Sequence, residues 1–188
     1  MGGRPDREMV TDASFSGLGG LLCTPDGVVE YFHSSWEDLG VDPFDFHIGE
    51  LEIATLVFSA DLFSHHFRKR KLWAWCDNMS TCDVLRNEGA KCPGMHVCLR
   101  RLHHIMARDS FLLRGRDIRS ETNTGADELS RPSSGHLDRF FAWSREELGA
   151  TAFRRVIPEG VAALMQRVKC AHDARAAALQ RRSAKASR

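Results

Sequence analysis

Four acidic residues of this sequence are candidates for chemistry: Asp12, Glu52, Asp77 and Asp127. If the fold brings them together, they cannot all be ionised without a counter-charge, because like charges at close range oppose one another. Two divalent cations about 3.5–4 Å apart would supply that charge, and such a pair stabilises the attacking and leaving oxygens of an in-line phosphoryl displacement. Ligand sets made only of oxygen atoms favour Mg²⁺ or Mn²⁺ over Zn²⁺.

The first acid lies in a predicted β-hairpin. Residues 7–14 form a short apolar run that carries Asp12, small residues and glycines follow, and residues 17–24 form a second apolar run. This pattern predicts a strand, a tight turn and a return strand. A Pro-Asp-Gly turn within residues 24–27 leads into a third predicted strand at residues 28–33. The N-terminal part is therefore predicted to be an antiparallel meander.

The second acid lies in a predicted helix over residues 48–67. Apolar residues recur there at three- and four-residue spacing, namely Ile53, Leu56, Val57, Ala60, Phe63 and Phe67. The helical neighbours of Glu52 are small residues, Gly49, Thr55 and Ser59. This face can pack close to a sheet while Glu52 reaches across it. Glu50 lies about 200° around the helix from Glu52, so we expect it to be solvated or to cap the helix.

The other two acids lie at the ends of later elements. Asp77 follows a predicted strand at residues 72–76, at the end of the strand where ligands of open α/β sheets collect. Helices are predicted at residues 79–88 and 94–108, and a strand at 110–118. Asp127 would lie in the first turns of a short helix that Thr122 or Asn123 can cap and that Pro132 ends.

The predicted order of elements is β-β-β-α-β-α-α-β-α. It defines an α/β fold class with a five-stranded mixed sheet, in one domain at residues 7–131. The composition changes after Pro132. Residues 132–188 are predicted to be a basic helical tail rich in Ala and Arg, with two helices within residues 144–180. The tail is expected to be partly disordered, from residue 183 onward.

The acids stand in four short motifs that resemble a known family. These are Thr-Asp-Ala-Ser at residues 11–14, Leu-Glu-Ile-Ala at 51–54, Asp-Asn at 77–78 and Asn-x-x-Ala-Asp-x-Leu-Ser-Arg at 123–131. In this order they resemble the ribonuclease H domain of retroelement reverse transcriptases, especially the gypsy-like and DIRS-like retrotransposon branch. The last motif is the most specific, and the resemblance covers residues 8–131.

The resemblance implies a ribonuclease H-like fold, with helices on both faces of the mixed sheet, and cleavage of the RNA strand of an RNA–DNA hybrid. It implies a site with two Mg²⁺ or Mn²⁺ ions. Asp12 and Asp77 would flank both ions, Glu52 would hold one, and Asp127 would be the loosest ligand. The substrate-binding residues expected with them are Ser14, Asn78 and Asn123. The hybrid would be recognised through its 2′-hydroxyls and phosphates.

Two departures from the family pattern leave alternatives open. The loop before Asp127 reads Arg-Ser-Glu-Thr at residues 119–122 and lacks the His that many ribonucleases H carry there. No Tyr-x-Asp-Asp motif of a polymerase is present. One alternative is a catalytically decayed retroelement fragment that acts as a nucleic-acid-binding or scaffold module. Another is a transposase or integrase, but the Asp127 motif argues against the terminal Glu that it would need.

The charge is distributed unevenly along the chain, so that the acidic N-terminal third suits cations and the rest favours anionic partners. The net charge is +1, but residues 1–67 hold two basic and twelve acidic residues, whereas residues 68–131 hold thirteen basic and eight acidic. No signal peptide and no membrane span are recognised, so we expect a cytoplasmic or nuclear monomer. A reverse transcriptase polymerase domain is an expected partner beside the hybrid. The six cysteines are expected to be reduced. A less favoured alternative is a zinc site formed by Cys92, Cys98, His103 and His104.

Overall fold

The structure is a computed structural model that describes residues 8–23, 28–149, 152–155 and 160–186. The turn predicted at residues 24–27 lies outside this range.

The described chain builds one mixed sheet. Its strands are β1 (Glu8–Ala13), β2 (Gly17–Cys23), β3 (Val28–Ser35), β4 (Lys71–Cys76), β5 (Leu112–Asp117) and β6 (Ala152–Arg155). They lie in the order β5-β4-β1-β2-β3-β6. The β1–β2 and β2–β3 pairs are antiparallel, as the meander prediction requires, and β1–β4, β4–β5 and β3–β6 are parallel. The carboxyl ends of β1 and β4 therefore lie at the same edge of the sheet.

Six α-helices are described. They are α1 (Ile48–Leu62), α2 (Met79–Asn87), α3 (Pro93–Asp109), α4 (Thr124–Ser130), α5 (His136–Leu148) and α6 (Val161–Ala186). Short 3-10 helices lie at Pro43–Asp45, Ser64–His66 and Ser120–Thr122.

Helices cover both faces of the sheet because side chains of a strand alternate between its faces. On one face, Leu22 and Phe32 belong to a large core cluster with apolar residues of α1, α3 and α6. On the other face, Leu21 and Tyr31 belong to a smaller cluster with α4 and α5. The predicted α/β class, a mixed sheet of β1 to β5 with helices on both faces, is confirmed. The prediction of five strands is incomplete, because β6 adds a sixth parallel to β3.

Two predicted helix ends were wrong. The first long helix ends at Leu62, and the 3-10 helix Ser64–His66 follows it. The basic run at residues 68–71 follows this 3-10 helix and leads into β4. Lys69 has a φ of 58°, in a turn before β4. α2 ends at Asn87, one residue before the predicted end, because Glu88 takes the left-handed conformation with a φ of 50°.

The C-terminal part is helical, as predicted, but its elements begin earlier and pack more extensively. α5 begins at His136, β6 was not predicted, and α6 continues to Ala186, past the residue at which disorder was expected. Val161, Met165 and Val168 of α6 are buried in the large core cluster. The domain boundary at residue 131 remains a prediction, and these contacts provide a way to test it.

Candidate metal and active site

Three of the four predicted acids come together at the carboxyl edge of the sheet. Asp12 lies near the end of β1, Asp77 directly follows β4, and Glu52 projects from the second turn of α1. One carboxylate oxygen from each lies within 4.8 Å of the other two. The parallel pairing of β1 with β4 explains why residues 65 positions apart in sequence meet here.

The small face of α1 lets Glu52 reach this edge. Thr55 and Ser59 are completely buried, and their hydroxyls donate hydrogen bonds to backbone carbonyls one turn earlier in α1. A Cβ built on Gly20 of β2 would lie 2.9 Å from the Ser59 hydroxyl oxygen. The helix therefore lies as close to the sheet as the residues at both sides permit, which confirms the prediction of a small packing face.

Two side chains at the two ends of α4, its N-cap residue and its last residue, hold Asp12. The Ser130 hydroxyl donates to Asp12 Oδ2 at 2.5 Å, and the Asn123 amide Nδ2 donates to Asp12 Oδ1 at 3.3 Å. Both donors are buried, with exposures of 0% and 1%. Two donors on one buried carboxylate limit its rotation and leave the group aimed at the edge of the sheet.

Burial raises the pKa of Asp12 to about 7 from its ordinary value of 3.8. The hydrogen bond from Ser130 and the charge of Arg131 oppose this increase, whereas the nearby charges of Asp77 and Asp127 add to it. A carboxyl group keeps its proton near neutral pH when its surroundings do not stabilise the negative charge of the ionised form.

Glu52 has the same imbalance to a greater degree. It is 4% exposed, and burial, followed by the charges of Asp12 and Asp77, raises its pKa well above the ordinary value, with a backbone hydrogen bond from Ala13 opposing. Its Oε2 atom is buried without a hydrogen-bond partner. An unpartnered buried carboxylate oxygen beside two further carboxylates is an arrangement that a divalent cation would complete.

The remaining acids have their own partners. The Ser120 hydroxyl, in the loop before α4, donates to Asp77 Oδ2 at 2.9 Å. Asp127 is not in the group of three, and its Oδ1 accepts from the Arg131 guanidinium at 2.5 Å. Its charge still contributes to the raised pKa of Asp12. The structure therefore brings three of the predicted ligands together and leaves the fourth alongside them, paired with an arginine.

The three predicted substrate-binding residues form hydrogen bonds within the protein. The Ser14 hydroxyl donates to the Ser130 carbonyl at 2.8 Å, and accepts from backbone N–H groups of the β1–β2 turn. The Asn78 side chain accepts from Thr81 N–H at 3.0 Å as the N-cap of α2. Asn123 is the residue before α4, but its side chain contacts Asp12 rather than capping the helix. Their role in substrate binding stays a prediction.

Sequence reasoning missed two hydroxyls of the site. Ser130 lies inside the motif at residues 123–131, but the motif does not indicate that its hydroxyl contacts Asp12. Nothing in the local sequence marks Ser120, because its contact with Asp77 joins residues 43 positions apart.

The zinc alternative does not assemble as a set. His103 and His104 are exposed on α3, whereas Cys98 is completely buried. Within the described ranges, three groups of side chains could hold a metal ion, and neither histidine belongs to any of them. Cys92 belongs to a different group.

None of the helices that the structure describes is both long enough and apolar enough to span a membrane.

Comparisons with known proteins give two weak structural likenesses. No protein-family model matches the chain, and no curated protein matches it. Ribonuclease H1 from the halophilic archaeon Halobacterium salinarum NRC-1 is 13% identical with a TM-score of 0.49, over 73% of this chain and 99% of that one. The N-terminal ribonuclease H domain of rv2228c from Mycobacterium tuberculosis, solved as a fusion with maltose-binding protein, is 12% identical with a TM-score of 0.47, over 74% of this chain and 95% of that one. At such identities and scores, neither carries a residue role or an activity over to this chain.

Proposed function

We propose that this protein is a metal-dependent endonuclease that cleaves the RNA strand of RNA–DNA hybrids. The observation that carries the proposal is the convergence of Asp12, Glu52 and Asp77, with one oxygen from each within 4.8 Å of the others. These are three of the four acids that the motifs mark, and they meet at the carboxyl edge of the sheet, where ligands of open α/β sheets collect.

The donor set suits two Mg²⁺ or Mn²⁺ ions. All three groups offer carboxylate oxygens, which these hard cations prefer. Asp12 and Asp77 would flank both ions, Glu52 would hold one, and Asp127 would be the loosest ligand. When bound, such ions activate a water for attack on phosphorus and stabilise the leaving 3′-oxygen.

The chain itself positions the ligands. Ser130 and Asn123 hold the Asp12 carboxylate from two sides, and Ser120 holds one oxygen of Asp77. Asp127 forms a salt bridge with Arg131, and the charges of both residues act on Asp12. A site held in this way needs little rearrangement to accept cations, which is the condition for electrostatic catalysis.

Exposed basic residues near the same edge could bind the hybrid backbone. Arg114 and Arg116 are exposed on β5, and Arg119 is exposed in the loop that follows. The Arg116 guanidinium lies 3.6 Å from the centre of the Trp73 ring, so its side chain has a defined direction. Contacts of these groups with phosphates would bind a duplex without reading its bases.

The motifs at residues 11–14, 51–54, 77–78 and 123–131 support an origin in a retrotransposon reverse transcriptase of the gypsy-like or DIRS-like branch. In that setting the chain would act beside a polymerase domain, as an intracellular monomer.

The test is cleavage of a labelled RNA–DNA hybrid by the full chain with Mg²⁺ or Mn²⁺. Asp77→Asn should reduce cleavage at least 100-fold, because the change removes a ligand charge and keeps the shape of the side chain. Asp83→Asn, an exposed acid on α2, is the matched control and should cleave as the wild type does. A chelator should abolish all cleavage.

Two results would contradict the proposal. One is cleavage by Asp77→Asn equal to that of the wild type. The other is no cleavage with either metal by protein that circular dichroism shows to be folded, which would favour the decayed scaffold module instead.

A further inference from the structure

We propose that Glu50, Cys92 and His172 form a second metal site, specific for Zn²⁺, that joins three helices and shares no ligand with the carboxylate site. The three residues come from the N-terminal turn of α1, the N-cap of α3 and the middle of α6. The proposal does not depend on the nuclease activity.

The contacts converge on one carboxylate oxygen. Cys92 Sγ lies 2.9 Å from Glu50 Oε1, and His172 Nε2 forms a close contact with the same oxygen. Cys92 Sγ and His172 Nε2 are 3.9 Å apart. The three candidate ligand atoms lie within 4.8 Å of one another. Tetrahedral zinc with its usual bond lengths places neighbouring ligand atoms about 3.5 Å apart, so small side-chain movements would admit the ion.

The two oxygens of Glu50 have separate tasks. Oε2 accepts from the backbone N–H of His47 at 3.2 Å, in the capping box at the start of α1. Oε1 faces the cysteine and the histidine. The sequence-based expectation for Glu50 is therefore confirmed for capping and wrong for solvation, because its side chain is only 1% exposed.

A glycine makes room for the cluster. A Cβ built on Gly94 would lie 2.0 Å from Glu50 Oε1 and 2.9 Å from His172 Nε2. Any other residue at position 94 would fill the space between the ligands. The His172 side chain is 30% exposed and Cys92 is partly buried, so an ion can enter from solvent.

The donor types select the metal. A thiolate, an imidazole nitrogen and a carboxylate oxygen suit Zn²⁺, whereas Mg²⁺ prefers oxygen alone. Binding requires the Cys92 thiol to release its proton to solvent and His172 to be neutral at Nε2. Three protein ligands leave the fourth tetrahedral position for a water molecule.

The experiment uses the full chain with Asp77→Asn, which weakens metal binding at the carboxylate site. The reduced protein is titrated with Co²⁺, a spectroscopic substitute for zinc, and then with Zn²⁺ in competition with a chromophoric chelator. We expect one equivalent of Co²⁺ to produce a thiolate-to-cobalt charge-transfer band, which Zn²⁺ abolishes. Cys92→Ser should remove the band, and His172→Ala should weaken Zn²⁺ binding at least tenfold.

The matched control is Cys170→Ser, which removes an exposed thiol two residues before His172 and should leave the band unchanged. The site would be overturned by absence of the band in reduced, folded protein, or by its persistence in Cys92→Ser. It would equally be overturned if His172→Ala bound Zn²⁺ as tightly as its parent. The His172 variant keeps the test valid if Cys92→Ser does not fold. Absence of hybrid cleavage by the wild type would contradict the proposed nuclease activity but not the zinc site.

Discussion

The buried carboxylate of Asp12 is the central group of the candidate site. Asp12 is 5% exposed, and an isolated charge at that depth would be unstable in a folded protein. Two hydrogen-bond donors, Ser130 and Asn123, stabilise the Asp12 carboxylate, but neither of them is a base. The acids Glu52 and Asp77 lie beside it as well. At the scale of residues, the site is therefore stable near neutral pH only with protons or cations bound.

The first prediction concerns pH. The pKa of Asp12 is about 7 in the folded protein and 3.8, its ordinary value, in the unfolded chain, so the folded state holds more protons between these values. The free energy of unfolding in chelator should therefore be highest below pH 4 as far as this group is concerned, and should decrease as the pH rises through 7. The contribution of Asp12 is a few kcal/mol at most, from about 1.4 kcal/mol per pKa unit. Thermal unfolding between pH 5 and pH 8 measures it.

The control for this prediction is Asp12→Asn, which should show a smaller decrease over the same pH range. Saturating Mg²⁺ should also reduce the decrease in the wild type, because bound cations replace the missing counter-charge. An identical pH dependence in the wild type and in Asp12→Asn would contradict the assignment of the decrease to this carboxyl group.

At the scale of elements, two adjacent glycines of β2 bring helices onto the two faces of the sheet. A Cβ built on Gly19 would lie 2.4 Å from the Leu129 Cβ of α4, and one on Gly20 would lie 2.9 Å from the Ser59 hydroxyl oxygen of α1. Gly19 pairs with Asp12 across the β1–β2 hairpin. The glycines that the sequence marks as a turn and return strand therefore also position α4 beside the acid that it holds.

The second prediction is that Gly19→Ala destabilises the protein by about 1–3 kcal/mol, because the new methyl group meets backbone as well as side-chain atoms of α4. Hybrid cleavage should decrease too, since α4 carries the donors to Asp12. Chemical denaturation and initial cleavage rates measure the two effects.

Gly89→Ala is the matched control for Gly19→Ala. A Cβ at Gly89 would have one ordinary contact at 3.6 Å, so stability should change by less than about 0.5 kcal/mol. Equal stability of the Gly19 variant and the wild type would show that α4 can move away from the sheet without cost.

At the scale of the whole molecule, the C-terminal helices complete the core. Leu164 and Met165 of α6 are buried against the cluster that includes α1 and α3, and Phe140 of α5 is buried in the cluster on the opposite face. The sequence-based prediction treats residues 132–188 as a tail outside a domain that folds by itself. Because α5 and α6 contribute to these clusters, a chain lacking residues 132–188 would expose apolar surface on both sides of the sheet.

The third prediction concerns a chain that ends at residue 131. It should keep a cooperative unfolding transition but lose several kcal/mol of stability, because burial of each large apolar side chain contributes about 1.5–3 kcal/mol. Denaturant unfolding measures the loss, and binding of a hydrophobic dye measures the exposed surface.

A chain that ends at residue 178 is the control for the truncation. It removes only a part of α6 whose described side chains are exposed, including Leu179 at 54%. Its stability should equal that of the full chain within about 0.5 kcal/mol. The absence of any cooperative transition in the shorter chain would place α5 and α6 inside the folding unit and contradict the boundary at residue 131.

The sequence by itself determined the order of the elements up to residue 131, the meander and the choice of the acids as candidates. Each of these depends on local features: the apolar runs and glycine turn of β1 and β2, the three- and four-residue spacing in α1, and motifs no longer than nine residues. Helix ends were less predictable, because whether α1 continued past Leu62 depended on packing as well as on periodicity.

Only the tertiary structure decided which distant residues meet. Ser130 contacts Asp12 across 118 positions, and His172 contacts Glu50 across 122 positions. β6 joins β3 although no motif marks it as a strand. No local pattern encodes such contacts, since they follow from the order of strands in the sheet and the docking of helices on its faces. The carboxylate site was therefore predictable from its motifs, whereas the contacts that hold it and the proposed zinc site were not.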